Sequence, residues 1–187
     1  MKRKSFILTA LALLSASIMV KAKSLIPLRT DKGFKVNAGD ARFGQHLKMK
    51  GITSNTLDLK ISSSDTDGDL LVFEQIGQTP NGGPPLHIHL FQDEWFFVLE
   101  GEYIFQLGEE KFKMKQGDTI FLPRNIQHGF IQLTEKARVI VSFLPAGKME
   151  SFFKITNTWT VPPSQEEIKR VIEDHDMLVT GPPLKSE

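Results

Sequence analysis

His87, Ile88 and His89 place two imidazoles two residues apart in an otherwise apolar run, "GGPPLHIHLFQDEWFFVLEG" from Gly82 to Gly101. On an extended strand, residues two apart project from the same face, so His87 and His89 share one side and Ile88 takes the other. That spacing lets both rings reach one ion. It equally suits two core histidines that have found hydrogen-bond partners. Glu94 adds weight, because alternation sets it on one face with Phe96 and Val98. A carboxylate among apolar side chains stays ionised only beside a cation or several donors. A third histidine, His128, lies in "GDTIFLPRNIQHGF" and shares a face with Phe130. These are the residue types of a transition-metal site.

The elements that must hold them read as β-structure. From Leu47 to Leu144, short alternating runs are separated by turn signals in the manner of a sandwich or barrel. Thr56–Ser62 and Leu70–Ile76 form a hairpin candidate around the acidic turn Asp65–Asp69, which lacks the further ligand positions of a calcium loop. Strands follow at Leu86–Leu90, Trp95–Leu99, Glu102–Leu107 and Lys111–Lys115, then in "DTIFLP", "QHGFIQL" and "ARVIVSFL". After Pro145 the character changes. "KMESFFKI" has helical spacing, and "SQEEIKRVIEDHDM" opens with Ser164 and Glu167 in capping-box relation, with an apolar stripe of Ile168, Val171 and Ile172. On this helix His175 reads as part of the charged face, and "GPPL" beyond it reads as an ordered tail.

The two histidine segments resemble the paired motifs of the cupin superfamily. His87-x-His89-x4-Glu94-x6-Gly101 reproduces the first motif after its leading glycine, and Gly117-x5-Pro123-x4-His128 matches the frame of the second. "GGPPLHIH", "LEGE", "SFFK" and "GPPL" are similar to small single-domain cupins related to bacterial quercetin dioxygenases. The sequence departs from the pattern at Asn81, Asn125 and Gln132. Asparagine tolerates left-handed backbone best among the non-glycine residues, so the first two can keep tight turns. Gln132 touches only a peripheral polar contact of the pattern.

The resemblance implies an all-β, cupin-type β-barrel (a double-stranded β-helix or jelly roll) with a C-terminal helical extension. The barrel core would span about 45–145 and the helices and tail 146–187, in a single domain over 23–187. His87, His89, Glu94 and His128 would bind one divalent transition metal: Fe, Mn, Ni, Cu or Zn. Alternation sets Phe96 and Phe130 on the ligand face, and strand 102–107 offers either Tyr103 and Phe105 or Ile104 and Gln106 to a substrate pocket. The implied activity is a metal-dependent dioxygenase acting on an enolisable or flavonol-like aromatic, with Glu94 as general base. A non-catalytic small-molecule binder and a metal-dependent isomerase or hydrolase are the other readings. Homodimers are common in the family.

The N-terminus points to export. Lys2, Arg3 and Lys4 precede an uncharged run from Phe6 to Val20, and Val20-Lys21-Ala22 supplies a cleavage signal, giving a signal peptide over 1–22. That run is 15 residues, short of the roughly 20 needed to span a bilayer. Cleavage removes four of the 23 basic residues and none of the 22 acidic ones, so a net charge of +1 becomes about −3. The mature chain thus offers no basic footprint for nucleic acid or anionic membrane. With no cysteine, disulfides, thiolate ligands and lipid attachment at the signal junction are excluded. A free periplasmic or secreted protein is expected.

Overall fold

The computed structural model describes residues 29–53, 55–77 and 79–186. The expected signal peptide lies outside the described residues. Among the described residues, eleven strands form two antiparallel sheets. The first contains β1 (His46–Lys48), β2 (Thr56–Ile61), β3 (Leu71–Gly77), β5 (Asp93–Glu100), β8 (Thr119–Leu122) and β10 (Ala137–Leu144), in the order β1-β2-β3-β10-β5-β8. The second contains β4 (Pro85–His89), β6 (Glu102–Leu107), β7 (Glu110–Lys115), β9 (His128–Gln132) and β11 (Met177–Pro183), in the order β11-β4-β9-β6-β7. Two helices, α1 (Met149–Thr158) and α2 (Gln165–Asp174), lie between β10 and β11. The fold is mainly β, two antiparallel sheets with two C-terminal helices, as the resemblance implied. Among the described residues, no helix is long and apolar enough to cross a membrane.

Strand periodicity builds the core. On β5, Glu94, Phe96 and Val98 are buried while Trp95 and Phe97 turn outward. On β10, Val139, Val141 and Phe143 face the same interior. The two inner faces meet through aromatic side chains: Phe96 of β5 lies 5.0 Å from Phe105 of β6 and 5.7 Å from Phe130 of β9, centroid to centroid. Gly101 turns the chain from β5 to β6 at φ 85°, where a Cβ would stand 2.6 Å from the Lys136 carbonyl oxygen. Only glycine fits that position.

The helical extension is latched to the hairpin turn. Glu150 on α1 accepts hydrogen bonds from Ser62 Oγ at 2.9 Å, Ser63 N at 2.8 Å and Ser63 Oγ at 2.6 Å. Lys154, one turn on, reaches the other carboxylate oxygen at 2.7 Å. Burial alone would raise the Glu150 carboxyl; Lys154 and the serine donors outweigh it and hold it below the usual carboxylate range. In the acidic turn, Asp65 pairs with Arg42 at 2.8 Å and Asp69 with Arg29, so arginine supplies the counter-charge. Ser164 caps α2 by accepting from Glu167 N at 3.1 Å.

Two sequence expectations are corrected. His175 is buried, not on a charged face: it ends α2, its Nδ1 lies 2.6 Å from the Val171 carbonyl oxygen, and its ring packs 5.6 Å from Phe152. The segment read as a tail is β11, an edge strand paired with β4 through Met177–His89, Leu178–Ile88 and Val179–His87. Its prolines stand at the far end of the pairing, where an edge strand tolerates a missing donor.

Candidate metal centre

Four side chains from three strands converge. His87 and His89 come from β4, Glu94 is the second residue of β5, and His128 opens β9. The register brings them together: His87 stands opposite His128, while Glu94 is flanked by Phe143 and Leu122. One ligand atom from each of the four falls within 4.8 Å of the others. The rings of His87 and His128 are 4.6 Å apart, and those of His89 and His128 lie nearly parallel at 5.5 Å.

Backbone carbonyls orient two of the rings. His87 Nδ1 lies 2.8 Å from the Pro85 oxygen and His128 Nδ1 lies 2.9 Å from the Ile126 oxygen. A carbonyl can only accept, so each Nδ1 carries the hydrogen and each Nε2 is left with a lone pair. Glu94 spans the remaining nitrogens, with Oε1 3.3 Å from His89 Nε2 and Oε2 3.2 Å from His128 Nε2. Yet His128 Nε2 is buried without a well-formed hydrogen bond, as is His89 Nδ1. With no bond to satisfy it, the His128 Nε2 lone pair remains available to an ion.

The electrostatics agree. Burial, followed by the neighbouring His128 and His89, pushes His87 down to about 3, so it is neutral and able to ligate. For Glu94, burial would raise the carboxyl, but His89 and His128 outweigh it and keep the group ionised. Burial depresses His128, but the adjacent Glu94 carboxylate outweighs it, and the net shift is upward. Glu94 is 5 % exposed, and the contacts it makes in this cluster are with imidazoles. His89 and His128 offset the charge of Glu94, a role that a divalent cation held by the four side chains would take over. The four residues fit one metal of the borderline class, three imidazoles and one carboxylate with no thiolate.

The cluster sits in the wall of a cavity between the sheets. Phe96 and Phe130 line it, together with Val141 and Phe143. Tyr103 and Phe105 stand behind this wall, fully buried, with Phe105 5.3 Å and Tyr103 6.1 Å from the Phe130 ring. The rest of the lining comes from residues that strand alternation does not reveal. Met149, Phe152 and Phe153 of α1, Ile172 of α2 and Met177 of β11 all line the cavity, as do Met49 and Ile52 from the loop before β2. The helical spacing of "KMESFFKI" marks the apolar face of α1, but only the tertiary fold shows what it covers.

The departures from the motif pattern are accommodated. Asn81 and Asn125 adopt left-handed backbone, φ 62° and 64°, and Asn125 N donates to the His89 carbonyl oxygen at 2.9 Å. The Asn125 turn therefore holds the ligand strand directly. Gln132 is buried, and its Nε2 donates to the Thr134 carbonyl oxygen at 2.7 Å.

Fold and site together define a cupin fold carrying a candidate metal centre of three histidines and one glutamate, and known proteins agree on the fold. Residues 77–143, which hold all four candidate ligands, match the family model of the cupin domain. Of the solved structures, the polyketide cyclase RemF from Streptomyces resistomycificus superposes with a TM-score of 0.51 at 22% identity, over 62% of this chain and 80% of that one. An RmlC-like cupin from Shewanella frigidimarina gives 0.50 at 17% identity, over 64% of this chain and 96% of that one. An uncharacterized protein of Methanocaldococcus jannaschii is 42% identical over 43 residues, 23% of this chain and 34% of that relative's length. One from Streptomyces coelicolor is 33% identical over 54 residues, 29% of this chain and 51% of its own length. The chain thus spans about a third and about half of the length of these two curated relatives.

Proposed function

We propose that this chain is an exported, metal-dependent dioxygenase acting on an enolisable, flavonol-like aromatic substrate. One observation carries the reading: a buried cluster of three histidines and a carboxylate opens onto a cavity walled mainly by phenylalanine, methionine and branched aliphatic side chains. Such a wall suits a flat, apolar body with few polar groups. When bound, a divalent transition ion supplies Lewis acidity that favours loss of a hydroxyl proton from the substrate.

The remaining work falls to the chain's own residues. Phe96 and Phe130 flank the cluster and hold the flat body beside it. Phe152, Phe153 and Met149 from α1 complete the apolar wall and exclude water. Glu94 is the proton acceptor. While both its oxygens face imidazole nitrogens it is a weak base. Turning one oxygen toward the cavity removes those partners, and its proton affinity rises in apolar surroundings.

Oxygen uptake by metal-loaded protein, measured with a panel of flavonols and other enolisable aromatics, tests this reading. Uptake matched to substrate consumption supports it. No uptake by protein shown to hold metal overturns it. Fold does not fix chemistry, so the panel is repeated without dioxygen. Substrate transformed anaerobically replaces oxygenation with isomerisation or hydrolysis, and a ligand that binds and is recovered unchanged replaces it with binding alone.

A further inference from the structure

We propose that Gln75 selects the ligand of this cavity, donating a hydrogen bond from its carboxamide to an oxygen on a bound molecule whose body is otherwise apolar. The assignment deepens the proposed function, on which it rests for the kind of ligand, by naming a polar anchor apart from the metal ligands. Alternation on β3 turns Leu71, Phe73 and Gln75 inward, at 0 %, 0 % and 4 % exposure. The cross-strand neighbours of Gln75 are Leu57 on β2 and Val139 on β10, both buried apolar residues. An aliphatic side chain at position 75 would continue this stripe, and a carboxamide interrupts it.

Gln75 Nε2 is buried and has no hydrogen-bond partner. Leaving such a donor unsatisfied costs stability, whereas an apolar side chain of similar shape would not. Among the described residues, the other buried side-chain atoms without a partner belong to Gln45, Asn55, His89, Gln92, Tyr103 and His128. Of these, only His89 and His128 line the cavity, and both belong to the candidate metal centre. Gln75 lines the same cavity beside Met49, Ile52 and Val141. The cavity thus has two polar features, the cluster and one carboxamide, in an otherwise apolar wall. A carbonyl, ether or phenolic oxygen satisfies the carboxamide. A hydrocarbon leaves it orphaned, and sites built this way discriminate strongly against ligands that lack the matching atom.

The test uses the whole mature protein, two substitutions, Gln75→Met and Gln75→Leu, and two probes of one shape, 2-acetylnaphthalene and 2-ethylnaphthalene. Equilibrium dialysis of the wild type should show the ketone bound about tenfold more tightly than the hydrocarbon. Both substitutions should erase that preference, leave metal content unchanged, and leave the ligand-free melting temperature equal to or above that of the wild type. Four results would overturn the assignment: melting temperatures lowered in both variants, metal lost from either, a ketone preference that survives substitution, or a wild type that binds neither probe or both equally. Failure of the dioxygenase reading is separate. A ketone preference with no oxygen uptake on any substrate leaves Gln75 assigned and removes only the reaction.

Discussion

His87 on β4 and His128 on β9 face each other at the single register pairing between these strands, their rings 4.6 Å apart. The pairing joins two sequence motifs with β5 to β8 between them. Each ring is tied by Nδ1 to a carbonyl two residues upstream, so the same local device, a histidine bonded to its own strand entry, is used twice.

Metal content is the most direct consequence. Purified wild-type protein should carry close to one transition-metal ion per chain by elemental analysis, and His128→Ala or His87→Ala only traces. Loss of a ligand should weaken binding by more than the roughly 10- to 100-fold associated with outer-shell partners. Added metal should raise the melting temperature of the wild type and leave that of either variant unchanged.

Acid should destabilise the metal-free protein, and His87 is a principal reason. The unfolded chain protonates this ring near its ordinary value of 6.5, the native chain only at about 3. Between those values the unfolded state binds more protons, so stability falls as pH falls through that window. His128 acts oppositely: its raised value gives stability that is complete below its ordinary value and lost as pH rises through the native one. Glu94 is held below its ordinary 4.5, so its contribution is present above that value and lost below it. Melting temperatures of chelator-treated protein should drop steadily as pH falls below 6.5, with a shallower slope in His87→Gln.

Asn125 carries the cost of left-handed backbone beside the ligand strand. Asn125→Gly should be nearly neutral, because relief of that cost offsets the greater freedom of glycine in the unfolded chain. Asn125→Val should lose about 1–2 kcal/mol in denaturant titration, since a β-branched residue suits this conformation poorly.

Deleting 177–187 removes none of the four candidate ligands but should abolish tight metal binding. β4 pairs with β9 at one position and with β11 along most of its length. Without β11 the ligand strand becomes a loosely held edge, and the cavity opens where Met177 stood. Elemental analysis and far-ultraviolet circular dichroism would show metal lost with most of the sheet signal retained.

Strand periodicity could assign His87, His89, Glu94 and His128 to faces, but it was the resemblance to the cupin motifs that joined the four into one candidate site. The rest of the cavity wall was hidden for a physical reason. Met49, Ile172 and Met177 lie on elements distant in sequence, and their meeting is a tertiary fact. β11 was obscured by Gly181, Pro182 and Pro183, turn-forming residues that this edge pairing nonetheless admits. His175 was readable in principle. Helical spacing from Ile168, Val171 and Ile172 leads directly to position 175, on the buried face. Its polarity masked the pattern.

The placement of β11 bears on when the site can be made during synthesis. A chain emerging from its N-terminus presents His87, His89, Glu94 and His128 well before Met177–Pro183 exists to pair with β4. Until that last strand docks, the ligand strand lacks its longest partner. A cluster assembled this way closes only after the final strand has been translated. An exported chain would then draw its ion from the metals of the compartment where it folds, and not from those around the ribosome.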